Sequence, residues 1–162
     1  MKNKLFTFLL GILLLFINNC TGYKPIFKSN LNFEISDYSI EGEKIAGNKI
    51  YSKLHNLSKS SKKNLNKRNL SITIKTTKDK KATIKESSGK ISEYKITLKM
   101  HVKITDFITG DKILNQTFIS STNYKSQSQY SDTISIENKS TDILINNLYQ
   151  KLLIKLSENI LI

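Results

Sequence analysis

Apolar and polar residues alternate with a period of two through the middle of the chain, most clearly in Ile91–Phe107. The apolar positions of this stretch are Tyr94, Ile96, Leu98, Met100, Val102 and Ile104. Its polar positions are Lys95, Thr97, Lys99, His101, Lys103 and Thr105. Because successive side chains of a strand point to opposite faces, the pattern predicts a strand with one buried and one polar face.

Three further segments predict strands. Asn32–Glu41 alternates loosely, and Asn69–Lys78 alternates regularly, with Lys80–Gly89 either continuing that strand or forming a turn. Residues 106–111 predict a tight hairpin in which Gly110 supplies a positive φ. Lys112–Tyr124 therefore returns as an antiparallel strand.

Two segments carry apolar residues at helical spacing. The first helix is predicted to begin at Glu41-Gly42-Glu43, where acidic residues suit a helix N-terminus, and to run to about Ser58. The second follows the polar segment Lys125–Asp132 and continues to the end of the chain. Asn138–Thr141 interrupts its apolar stripe, so we expect the helix to start late or to bend there.

The order strand, helix, three strands, helix predicts an α+β fold. A sheet whose strands alternate this cleanly needs only one covered face. We therefore expect a four-stranded mixed sheet with both helices packed on the same face (β-α-β-β-β-α).

The N-terminus has the layout of a secretory signal. Lys2 and Lys4 precede an apolar run, Leu5–Ile17, that is too short to span a bilayer comfortably and ends just before Cys20, the only cysteine. A lone cysteine in this position predicts a bacterial lipoprotein. We thus expect a signal peptide at 1–19, acylation of Cys20, a mature domain at 20–162 and an extended anchor segment at 20–31. Asn19 departs from the small residue usual before such a cysteine.

Charge and the lack of reactive motifs narrow the function. The formal net charge is +13, which favours an anionic partner, and the export signal argues against nucleic acid. No Cys/His cluster, glycine-rich phosphate loop or Gly-x-Ser-x-Gly motif occurs in the sequence. We interpret His55 and His101 as surface residues. The chain is expected to be a binding or assembly protein that needs no metal or cofactor, and not an enzyme.

Lys95, Lys99 and Lys103 are candidate ligand-binding residues, because alternation places all three on the polar face of one strand. Successive positions on one face are about 7 Å apart, and these lysines are two such steps from one another. They either bind phosphates of a glycolipid or are simply solvated. The basic stretch at 59–68 leaves the same two alternatives open.

Several motifs resemble LptE, the lipopolysaccharide-assembly lipoprotein family, in its alphaproteobacterial form. They are Cys20–Phe27 (CTGYKPIF), the hairpin Asp106-x-x-Thr109-Gly110, and Asn123-Tyr124 followed by Ser128–Ser131 and the acidic Glu137. The extra Thr21 and the Ser, Ile and Lys residues of the last helix depart from the family pattern.

This resemblance implies a non-enzymatic lipoprotein at the periplasmic side of the outer membrane. Its partner would be the large barrel protein LptD, and together they would place lipopolysaccharide in the outer leaflet. Lys95, Lys99 and Lys103 would then face lipopolysaccharide phosphates or pair with acidic groups on the barrel wall. The alternative is an auxiliary lipoprotein of a phospholipid-transport ABC system.

Overall fold

The computed structural model describes residues 31–60 and 67–160. The six elements, in chain order, are β1 (Phe33–Gly42), α1 (Lys44–Ser60), β2 (Arg68–Lys85), β3 (Ile91–Asp106), β4 (Lys112–Lys125) and α2 (Tyr130–Ile160). The predicted signal peptide, Cys20, nearly all of the anchor segment 20–31 and most of the basic stretch 59–68 lie outside the described residues.

The four strands form one mixed sheet in the order β1-β2-β3-β4. β1 runs parallel to β2, and the other two neighbouring pairs are antiparallel. A parallel pair needs a crossover, and α1 supplies it between β1 and β2. The predicted α+β architecture is therefore confirmed.

One core lies between the sheet and the two helices. β3 contributes its predicted apolar side, with Ile96, Leu98, Met100, Val102 and Ile104 fully buried. Ile50 and Leu54 of α1 and Leu144, Leu148 and Leu152 of α2 pack into the same cluster. Both helices thus cover one face of the sheet, α1 mainly over β1 and α2 mainly over β4, and the opposite face is left open.

One element boundary was left open by the sequence, and another differs from the prediction. β2 continues unbroken to Lys85, which is one of the two alternatives for Lys80–Gly89, because β3 is long enough to pair with it as far as Ile91. α2 begins at Tyr130, inside the segment expected to be polar and irregular, and it passes through Asn138–Thr141 without a break. There the Thr141 hydroxyl donates to the Glu137 carbonyl oxygen at 2.9 Å, and Ser140 is buried. Short polar side chains that bond within the helix remove the interruption that the apolar pattern indicated.

The connection from β1 to α1 requires glycine. Gly42 has a φ of +79°, and a Cβ there would collide with the carbonyl oxygen of Thr76 on β2. The next residue, Glu43, donates its backbone N–H to that oxygen at 2.9 Å. The helix predicted to begin at residues 41–43 instead begins at Lys44, because Gly42 is still paired in β1.

Candidate functional site: the open face of the sheet

The face of the sheet away from the helices is polar and rich in lysine. Because residues of adjacent strands are paired directly across the sheet, their side chains on this face lie side by side. Lys95, Lys99 and Lys103 all lie on this face and are exposed, as alternation predicted. We call this surface the open face.

The strand register adds two lysines that the sequence analysis did not single out. Lys75 of β2 lies opposite His101, and Lys81 of β2 lies opposite Lys95. Directly opposed like charges destabilise a strand pair, so an anion bound between Lys81 and Lys95 would relieve their repulsion. The alternating pattern of β2 could have placed both residues on this face. Only the register shows which lysines of β3 they lie beside.

A shallow groove of about 260 Å³ crosses the open face. Its lining residues are Lys75, Thr77, Lys99, His101 and Thr117. Lys75 and Lys99 are diagonal neighbours on adjacent strands, a spacing of roughly 7–8 Å between backbone positions. The His101 Nδ1 and Thr117 Oγ1 atoms are 3.0 Å apart and form a hydrogen bond along one side. The groove thus combines two ammonium groups with hydroxyl and imidazole groups, which is a suitable set for an anionic oxygen ligand.

Acidic groups offset part of the charge of this face, where Asp37 and Glu93 accept hydrogen bonds from Ser71, Thr83 and Asn123. Glu41 pairs with Lys75 at 3.4 Å, and Asp79 pairs with Lys81 at 3.5 Å, all four side chains being more than half exposed. Within residues 31–60 and 67–160, no ion pair involves Lys95, Lys99 or Lys103. The structure therefore places these three lysines in solvent, where their charges are available to a ligand.

The two histidines have different surroundings. His55 on α1 stacks on Tyr51, with ring centroids 5.6 Å apart, and Tyr51 in turn stacks on Tyr38 at 3.9 Å. His101 lines the groove. Over the described part of the chain, no group of three or more His, Cys, Asp or Glu side chains could hold a metal ion.

A second polar cluster lies on the helix-covered face of the sheet, and the sequence did not predict it. Glu137 of α2 accepts hydrogen bonds from Lys78 at 2.8 Å, from Lys80 at 2.6 Å and from the Tyr124 hydroxyl at 2.9 Å. The Lys80 ammonium also lies 4.3 Å from the ring centroid of Tyr94. The cluster joins the N-terminal half of α2 to β2 and β4.

Mutual contacts shift the ionisation of this cluster. Partial burial acts to raise the pKa of Glu137, but the hydrogen bonds from Lys78, Lys80 and Tyr124 outweigh it and lower the pKa from 4.5 to about 2. Burial acts to lower the pKa of Lys80, and its bonds to Glu137 and Tyr124 raise it overall. The ion pairs therefore persist at neutral pH, and we interpret the cluster as a structural contact of α2 with the sheet.

Comparison with known proteins identifies the fold and not the family. No family model matches the chain, and no curated protein matches it. Several solved structures of bacterial lipoproteins do match the chain. A minor lipoprotein from Acinetobacter baumannii is 16% identical, with a TM-score of 0.57 over 80% of this chain and 94% of that one. The rare lipoprotein B from Shewanella oneidensis is 8% identical, with a TM-score of 0.54 over 75% and 94%. An uncharacterized lipoprotein B from Nitrosomonas europaea is 16% identical, with a TM-score of 0.54 over 76% and 81%.

These similarities show that the chain has a fold found in bacterial lipoproteins. Among the helices of residues 31–60 and 67–160, none combines the length and apolarity required to cross a membrane.

Proposed function

We propose that this protein is a lipid-anchored lipoprotein of the outer membrane that acts with an LptD-like barrel in the assembly of lipopolysaccharide. The open face of the sheet carries this proposal. It is broad, polar and cationic, and it is left uncovered by the two helices. The fold is one that bacterial lipoproteins adopt.

The open face has the chemistry expected of a surface inside a barrel. The lumen of an outer-membrane barrel is polar, and the open-face side chains of β2 to β4 are mostly Ser, Thr, Asn and Lys. Such a surface can pack against a polar wall while burying little apolar area, chiefly that of Ile119. We infer that β2, β3 and β4 present this face to the barrel or to the glycolipid that passes through it.

Lysine on this face suits the phosphates of lipid A. Lys99 shares its groove with Lys75. Lys95 and Lys103 lie on the same face of β3, four residues before and four residues after Lys99. An ammonium group is a compact charge with three rotatable donors, so a row of lysines can bind phosphates in more than one geometry. We infer that Lys95, Lys99 and Lys103 bind these phosphates.

Charge reversal tests the glycolipid part of the proposal. Lys99→Glu combined with Lys103→Glu should weaken binding of purified lipopolysaccharide and leave the circular dichroism spectrum unchanged, because both side chains are exposed. The loss should depend on salt, since exposed charges are screened over about 8 Å at physiological ionic strength.

The matched control reverses two exposed helical lysines, Lys44→Glu and Lys139→Glu, which changes the net charge by the same amount away from the open face. Equal binding losses in both double variants would mean that net charge, and not the open face, binds the glycolipid. Unchanged binding in the first variant would remove these lysines from the proposal.

Depletion in the host tests the function as a whole. Loss of this protein should lower the level of the folded barrel and of lipopolysaccharide at the cell surface. Normal lipopolysaccharide with a disturbed phospholipid distribution would instead support an auxiliary lipoprotein of a phospholipid transporter.

A further inference from the structure

Two large apolar side chains project from the hairpin between β3 and β4. Phe107 is 54% exposed and Ile108 is 77% exposed. They are consecutive residues at the point of a turn, which we call the tip and define as Asp106–Asp111. Single exposed apolar residues are ordinary on protein surfaces, but an adjacent pair on a projecting turn is suited to entering an apolar phase.

The tip lies at the end of the sheet where the chain arrives from its N-terminus. Arg68 at the start of β2 donates its N–H to the Asn32 carbonyl oxygen at 3.3 Å, next to the start of β1. Phe107 donates its N–H to the Asn69 carbonyl oxygen at 2.8 Å. The tip is thus only two strand spacings from the start of β1, roughly 10 Å across the sheet.

The length of the preceding chain limits how far Cys20 can be from the same end of the sheet. Leu31 follows Cys20 by eleven positions, 31 − 20 = 11, and a chain of that many residue steps spans at most about 36–40 Å when fully extended. A lipid on Cys20 would therefore hold this end of the sheet within about 40 Å of the bilayer surface. This step rests on the acylation of Cys20 in the proposed function.

Internal hydrogen bonds satisfy the backbone donors of the tip. Asp106 Oδ1 accepts from the N–H groups of Ile108 at 2.9 Å and Thr109 at 3.1 Å. The N–H of Gly110 bonds to the Asp106 carbonyl oxygen at 2.9 Å, and that of Asp111 bonds to the Thr109 hydroxyl at 3.3 Å. The Asp106 N–H bonds to the Asp111 carbonyl oxygen at 2.8 Å. A turn whose N–H groups are all bonded internally loses little when water is withdrawn.

The nearby carboxylate of Asp106 is neutralised. Its Oδ2 accepts from Arg68 Nε at 3.0 Å, and these bonds hold the pKa of Asp106 below its usual value, chiefly through Arg68. Asp111 at the end of the tip and Lys112 just after it carry opposite charges. The charges around the tip therefore balance and do not oppose its approach to a bilayer. The apolar contact of Phe107 and Ile108 then determines whether the tip binds.

We infer that Phe107 and Ile108 enter the interfacial region of the bilayer in which Cys20 is anchored, so that the domain is held at two points. A single flexible tether leaves a domain free to rotate above the membrane. A second contact at the tip fixes which end of the sheet faces the lipid, and the open face then stands at a steep angle to the membrane plane. Insertion of amphipathic elements at this boundary reaches about 5–10 Å.

Tryptophan fluorescence tests this inference directly, because the sequence contains no Trp. Ile108→Trp in the full-length, host-processed protein would be reconstituted into phosphatidylethanolamine/phosphatidylglycerol vesicles with brominated acyl chains. The reporter should show blue-shifted emission, quenching by the brominated lipid and protection from iodide. The matched control is Ile84→Trp, since Ile84 is 51% exposed near the hairpin at the opposite end of the sheet, and it should be quenched by iodide but not by the lipid.

Each outcome decides the inference. Protein that floats with the vesicles while Ile108→Trp behaves like Ile84→Trp overturns the tip contact and leaves the lipid anchor standing. Protein that does not float overturns both the tip contact and the proposed anchor. Phe107→Trp provides an independent reporter at the neighbouring position, and circular dichroism of both variants should match the parent protein.

Discussion

Glu137→Gln should destabilise the domain at neutral pH, because Glu137 is the shared acceptor of Lys78, Lys80 and Tyr124. Its side chain is only 12% exposed. Glutamine keeps the shape and one acceptor oxygen but removes the charge, so both ammonium groups lose their counterion in a partly dehydrated place. The substitution therefore isolates the electrostatic contribution of the cluster.

The expected magnitude follows from the pKa of Glu137. A change from 4.5 to about 2, at about 1.4 kcal/mol for each pKa unit, corresponds to about 3 kcal/mol. Lys78 and Lys80 are partly exposed, so solvent screening makes this an upper value, and we expect a loss of about 1–3 kcal/mol in the free energy of unfolding.

The pH dependence has a defined sign. The folded-state pKa lies below the unfolded one, so the stabilisation is complete above about pH 5 and is lost as the pH falls through 4.5 towards 2. Urea unfolding followed by far-ultraviolet circular dichroism at pH 7, 4 and 2.5 should therefore show the difference between parent and variant shrinking with acid. Asp142→Asn is the matched control, because it removes an ion pair to Lys49 of similar length, 2.6 Å, with both side chains about half exposed, and it should have little effect. Equal losses in the two variants, or a difference that does not change with pH, would refute the reasoning.

Two further substitutions test the turn at Gly42 and the anchor. Gly42→Ala should destabilise the domain by more than Gly89→Ala in thermal unfolding. Both glycines have a positive φ, which costs any other residue about 1–2 kcal/mol, but only at Gly42 does a new Cβ meet a backbone oxygen. Equal losses in the two variants would contradict the packing of β1 on β2. Cys20→Ala should abolish acylation and release the protein from the membrane fraction, as measured by mass spectrometry of the mature N-terminus and by fractionation, and a membrane-bound variant would show that the anchor lies elsewhere.

The strands were predictable because period-two alternation is a local property. The apolar positions of β3 from Ile96 to Ile104 are the buried ones, and the sheet follows from four such segments. The course of α2 through Asn138–Thr141 was predicted wrongly, because hydropathy does not record that Thr141 bonds within the helix. The amino-acid composition of this segment does not show that hydrogen bond.

The candidate site was predictable only in part. Alternation places Lys99 on the open face, but its proximity to Lys75 depends on the register between β2 and β3. The Glu137 cluster joins residues nearly sixty positions apart. Its one local signal is that Lys78 and Lys80 continue the face of β2 that carries Ile72, Ile74 and Thr76, and lysines at core-facing positions need a partner.

The most direct test of the proposed function is co-purification from the host's own membranes. Full-length, acylated protein carrying a C-terminal affinity tag would be solubilised in mild detergent, purified, and analysed by native gel electrophoresis and mass spectrometry. The proposal predicts a stoichiometric complex with a large LptD-like outer-membrane barrel that survives purification. A well-folded protein that brings down an inner-membrane transporter or its substrate-binding subunit, and no barrel, would contradict it.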